Sequence, residues 1–103
     1  MINVIRGTTP THLFKLPFDT GTVKDLRITY AQNGESVVQK TANDCTMNGN
    51  DISVTLTQSD TLRFSGDARI EMQIKVLQTD GKVYSTKVKY LSVDRTLNEE
   101  VLM

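Results

Sequence analysis

Eight consecutive residues set the fold class of this chain. In Arg69-Ile70-Glu71-Met72-Gln73-Ile74-Lys75-Val76 every second side chain is apolar and those between are polar or charged. A strand points successive side chains to opposite faces, so the segment has one dry face and one wet face. A helix would scatter the same residues around its axis. The pattern predicts a strand that covers a core on one side only.

The return strand tests a register. Tyr84, Thr86, Val88 and Tyr90 alternate with Ser85, Lys87 and Lys89. A two-residue turn at Asp80-Gly81 would set Met72 against Lys89 and put charge on the core side. A three-residue loop, Thr79-Asp80-Gly81 with Gly81 left-handed, sets Val76 against Tyr84, Ile74 against Thr86, Met72 against Val88 and Ile70 against Tyr90. That register keeps one apolar face, and a slip of one residue would invert it. Tyr30, Tyr84 and Tyr90 are then all expected inward. Leu91 and Val93 break the alternation, so a bulge or change of partner is expected near Tyr90.

The same grammar recurs elsewhere. Leu26, Ile28 and Tyr30 lead to Asn33-Gly34, with Val37-Val38 on the return. Asn48-Gly49 joins a short strand at 44–47 to Ile52-Ser53-Val54-Thr55-Leu56, which sets Cys45 opposite Ile52 on the inward face. Thr57-Gln58-Ser59-Asp60 reads as a capping box before one helical turn near 57–63, which would tuck Leu62 and Phe64 under the sheets. Pro10 and Pro17 bracket residues 11–16, so this is an edge or first strand, because proline donates no ladder bond. Ile2, Val4 and Ile5 form another candidate strand before Gly7. The expected fold is all-β: an antiparallel two-sheet sandwich, immunoglobulin-like, with about seven or eight short strands. A small barrel is the alternative. The 103 residues suit one domain, a sandwich at 1–93 followed by a C-terminal tail at 94–103.

The chain is short of catalytic parts. His12 is the one histidine, and its neighbours Thr11 and Leu13 supply no base or nucleophile pair, so it reads as a structural or surface residue. Cys45 is the one cysteine; no intramolecular disulfide can form, and its inward position favours an inert thiol. One histidine and one cysteine fall short of a zinc set. Asn48, Asn50 and Asp51 with Asp44 are too sparse in carboxylates for a calcium loop and read as turn residues. Glycines stand singly, so no phosphate cradle is present. Twelve basic and twelve acidic side chains cancel, and no basic run occurs, so nothing draws the chain to nucleic acid. Lys75, Lys87 and Lys89 read as strand-face lysines that oppose aggregation. No apolar stretch approaches the ~20 residues of a membrane span, and Met1 to Gly7 is too short for a signal-peptide core. The expectation is a non-enzyme with no cofactor, no metal and no membrane or nucleic-acid partner.

Several strings carry a family resemblance: Ile5-Arg6-Gly7-Thr8-Thr9-Pro10-Thr11-His12, Leu16-Pro17-Phe18-Asp19, Tyr30-Ala31-Gln32, Asp44-Cys45, Leu56-Thr57-Gln58-Ser59-Asp60-Thr61-Leu62 and Leu97-Asn98-Glu99-Glu100-Val101-Leu102. With them the chain resembles, over nearly its whole length, short uncharacterised proteins encoded among virion structural genes of phages and prophages of gut Firmicutes. More loosely it resembles β-sandwich modules of phage baseplates and tail fibres. The resemblance implies a virion component, located in the virion or in the bacterial cytoplasm during assembly. It transfers no functional residue.

The expected function is therefore protein–protein assembly in a tail, baseplate or head surface, with other virion proteins or a second copy as partner. The candidate partner contacts are Ile2, Val4, Ile5, Phe18, Leu97, Val101 and Leu102. The alternative is a host-surface glycan or ligand-binding module, for which Phe18 after Pro17 is the one aromatic expected in a loop.

Overall fold

A computed structural model describes residues 2–103, Ile2 by its backbone alone. The alternating segment forms a long strand, β7 (Ile70–Gln78), flanked by β3 (Val23–Gln32) in antiparallel register, Ile28 opposite Ile74 and Tyr30 opposite Met72. Asn33 and Gly34 both take positive φ, 54° and 80°, in the tight turn that returns the chain as β4 (Glu35–Thr41). On the other side of β7 lie β8 (Val83–Ser85) and β9 (Lys89–Asp94). The N-terminal strand β1 (Ile2–Ile5) pairs in parallel with β9 and forms the outer strand on that side. These six strands form one sheet, and β2 (Thr11–Lys15), β6 (Asp51–Thr55) and β5 (Cys45–Asn48), in that order, form the other.

The two sheets bury one apolar core. Leu26, Ile28 and Tyr30 of β3, Ile70, Met72, Ile74 and Val76 of β7, and Leu91 of β9 face Ile52 and Val54 of β6, with Leu16, Leu56 and Phe64 closing the ends. A short helix, α1 (Gln58–Leu62), begins at the expected capping box: the Thr57 hydroxyl accepts from Asp60 N–H and the Asp60 carboxylate accepts from Thr57 N–H. Lys40 of β4 reaches the same carboxylate at 2.6 Å, with the two side chains only 15% and 14% exposed. Phe64 enters the core as expected, whereas Leu62 is half-buried. Gln32 finishes β3 by donating to Ser65 O and Ala68 O and accepting from Ser65 N–H, which sews the 65–68 loop to the sheet.

Three details differ from the sequence reading. The Thr79-Asp80-Gly81 loop, Gly81 at φ 87°, and the Val76–Tyr84 pairing stand as expected. Beyond Ser85, however, one extra residue enters the return strand, so Ile70 meets Leu91 and Met72 meets Lys89. Thr86 makes this possible: its N–H donates to Ile74 O and its hydroxyl accepts from Ile74 N–H, so Thr86 satisfies both groups of Ile74 by itself. Val88 and Tyr90 therefore turn outward, and Leu91 turns in. Second, the β5–β6 turn is centred on Gly49-Asn50, which sets Cys45 opposite Val54 and Met47 opposite Ile52. The shift of two residues preserves the face, and Cys45 still packs on the core. Third, the described residues form nine strands: the return splits into β8 and β9, and β1 is added in parallel.

Candidate interaction surface

The small sheet ends on β2, which pairs with β6 on one side alone. Leu56 N–H donates to Pro10 O and Leu16 N–H to Asn50 O, and hydrogen-bonded pairs alternate along an antiparallel ladder. His12 and Phe14 thus spend their backbone groups on Val54 and Ile52. The N–H and C=O of Thr11, Leu13 and Lys15 point away from the sheet. Leu13, between them, is 68% exposed. A free edge of this kind is a template for another strand.

Beside this edge a cleft of about 170 Å3 opens between the sheets, lined by Thr11, His12, Leu13 and Phe14 of β2 and by Met72, Lys89 and Leu91 opposite. The Lys89 ammonium leans out over the Phe14 ring, 5.9 Å from its centre, so the strand's inward-side lysine keeps its charge at the cleft mouth. His12 is buried; its Nδ1 lies 2.7 Å from the Tyr30 hydroxyl, and its Nε2 is buried without a partner. Burial lowers the His12 pKa and raises that of Tyr30, so both stay neutral near pH 7. A larger, shallower depression of about 260 Å3 lies over the exposed Asp25–Arg27 pair and Leu77 and holds no such orphaned atom.

The candidate contact residues do not form one patch. Val4 is fully buried, so its side chain belongs to the core, while Ile5 is half-exposed at the end of β1. The backbone of Ile2 pairs with Leu91; its side chain lies outside the described residues. Phe18 is not a free loop aromatic: it packs edge-on against Tyr84, ring centres 5.3 Å apart, and against the core. Tyr84 pairs with Val76 and Leu91 with Ile70, so Phe18 lies ~20 Å along β7 from the β1 end. Residues 95–103 form neither strand nor helix. Leu97 is 99% exposed, Val101 45% and Leu102 68%. The tail lies back on the domain through an Arg6–Glu99 ion pair and through the Gln58 amide, which donates to Leu102 O and accepts from Leu102 N–H. The β2 edge and its cleft were not among the candidate contacts. Pro10 and Pro17 are the signal for the edge; the cleft depends on the facing sheet and has none.

The remaining candidates have local explanations. Burial, then the charge of Asp44, pushes the Cys45 thiol up, and its S–H points at Thr41 O at 3.3 Å. Gly49 turns at φ 57° between Asn48 and Asp51, as a hairpin requires. Among the described residues no three His, Cys, Asp or Glu side chains converge as a metal site would need. Among the described residues no helix is long and apolar enough to cross a membrane.

Neither a scan against protein-family models nor a search of curated proteins returns a match. Solved structures do match. The immunoglobulin-like domain of mouse leukocyte-associated immunoglobulin-like receptor 1, described as a strand-swapped dimer, is 10% identical with a TM-score of 0.52, covering 90% of this chain and 86% of that one. The V domain of amphioxus IgVJ-C2 is 16% identical with a TM-score of 0.36, covering 89% and 98%. By architecture the chain is an immunoglobulin-like β-sandwich.

Proposed function

We propose that this domain is an assembly component of a phage or prophage particle, at a tail, baseplate or head surface, and that it acts by protein–protein contact. The observation that carries the reading is the unpaired β2 edge beside an open inter-sheet cleft, with a tail that exposes Leu97, Val101 and Leu102. Unspent backbone groups and exposed apolar side chains are what strand addition uses. The resemblance to short proteins encoded among virion genes supplies the setting. The mouse receptor domain is described as a strand-swapped dimer, so exchange of strands between copies is compatible with this kind of sandwich.

The glycan-binding alternative has less support. Phe18 is engaged with Tyr84, and one face of the Tyr90 ring is covered by the Arg69 guanidinium at 4.0 Å. Sugar stacking needs a bare aromatic face. Mass spectrometry of purified particles tests the proposal: the chain is expected at a fixed ratio to a tail, baseplate or head protein. Its absence from particles, with a clear glycan-array signal, contradicts it.

A further inference from the structure

Four consecutive β2 residues, Thr11, His12, Leu13 and Phe14, line the cleft. Their side chains alternate between the two faces of the small sheet, so the space lies along the backbone edge of the strand, not over either face. The opposite wall, Met72, Lys89 and Leu91, belongs to the inner side of the large sheet. A strand added to β2 would therefore close the gap between the sheets. Its backbone would meet the free groups of Thr11, Leu13 and Lys15. Its inward side chains would enter an apolar cleft that holds two nitrogens, the Lys89 ammonium and the buried, unpartnered His12 Nε2. Among the described residues neither Lys89 nor Lys15 has a carboxylate within ion-pair distance. The site calls for a strand face that reads apolar, acidic, apolar.

The C-terminal segment has that face. In extended form Leu97, Glu99 and Val101 fall on one side. The nine residues after Asp94 span up to ~30 Å when extended, which is enough to reach a neighbouring molecule. Their attachment to their own domain is by few contacts, which exchange would have to replace: the Arg6–Glu99 pair, with side chains 20% and 61% exposed, and two hydrogen bonds between the Gln58 amide and the Leu102 backbone.

We propose that the β2 edge of one copy is completed by the C-terminal segment of a second copy, added as a strand with Leu97, Glu99 and Val101 facing inward. The Glu99 carboxylate lies between the Lys89 ammonium and His12 Nε2, which carries the ring proton while the Tyr30 hydroxyl donates to Nδ1. Reciprocal exchange closes a two-fold dimer. This deepens the assembly reading above and rests on it.

Light scattering of the full chain across a concentration series is the test, with two variants and a peptide. The full chain is expected to reach twice the monomer mass. Leu13→Pro removes no bond of the isolated sandwich, because the Leu13 N–H faces the free edge, but it denies an incoming strand its donor. Val101→Asp acts in the tail, away from the core, and keeps the test decisive should Leu13→Pro fold poorly. Each variant is expected to raise the dimer dissociation constant by at least about tenfold. A synthetic peptide of residues 96–103 is expected to convert the dimer to monomer. A full chain that stays monomeric at its solubility limit, or a dimer indifferent to Val101→Asp and to the peptide, overturns the proposal. A monomer found in particles overturns the second-copy occupant and leaves the assembly reading standing. A tail-dependent dimer absent from particles does the reverse.

Discussion

The His12 ring lies between the sheets with Nδ1 2.7 Å from the Tyr30 hydroxyl, and burial lowers its pKa below the ordinary 6.5. The unfolded chain therefore takes up a proton at His12 at a higher pH than the fold does. Stability from this residue is complete above about pH 6.5 and falls as pH drops from there towards the depressed folded value. Asp44 and Asp60 sit below their ordinary 3.8 in the fold, so their contributions are lost only at lower pH. Urea midpoints at pH 7.5 and 5.5 should show the native chain weaker at 5.5 and a His12→Gln variant with a smaller difference. Tyr30→Phe strips Nδ1 of its partner in a dry site and should cost about 1–3 kcal/mol by the same unfolding measurement. In sequence His12 reads as a structural or surface residue, because no partner residue accompanies it, and the fold buries it. Its contact with Tyr30, eighteen positions away, was not legible there, since nothing local links the two strands.

At the scale of elements, α1 is held by two different means that mutation can separate. Burial works against the Asp60 carboxylate, but hydrogen bonds from Lys40 and from Thr57 N–H, together with the Lys40 charge, outweigh it, and its pKa is lowered. Thr57→Ala removes the cap alone and should cost about 1 kcal/mol. Asp60→Ala also leaves the mostly buried Lys40 ammonium without its counter-charge and should cost about 3 kcal/mol. Thermal or urea unfolding would show that ordering, and equal losses would mean the Lys40 contact contributes nothing. The capping box could be read from four residues because its chemistry is local. The Gly81 loop could be read for the same reason. The extra residue could be read in part: Leu91 and Val93 break the alternation and point to a bulge near Tyr90, but its place after Ser85 could not be read, because Thr86-Lys87-Val88 continues the alternation and the shift occurs where the Thr86 hydroxyl reaches Ile74 N–H. Its consequence is large, since it turns Tyr90 outward under Arg69 and places Lys89 at the mouth of the cleft.

For the whole molecule, the sandwich was legible from periodicity, whereas the surface that would meet a partner was legible only in part. The exposed tail could be seen as apolar residues outside the strand pattern. The edge could be seen from its two prolines. β1 and β2 both end their sheets and each pairs on one side alone; what singles out β2 is the cleft beside it and the exposed Leu13. Removing residues 97–103 should lower the unfolding midpoint only modestly, because the tail adds no side chain to the core cluster and the loss is limited to the Glu99 partner of Arg6 and the Gln58–Leu102 bonds. The most direct test of the account is residue-resolved amide exchange by NMR, on the isolated chain and on its assembled form. Ladder geometry predicts slow exchange for His12 and Phe14 in both states. It predicts fast exchange for Thr11, Leu13 and Lys15 in the isolated chain, slowed strongly on assembly. Unchanged fast exchange of the Leu13 amide in the assembled state would contradict the account.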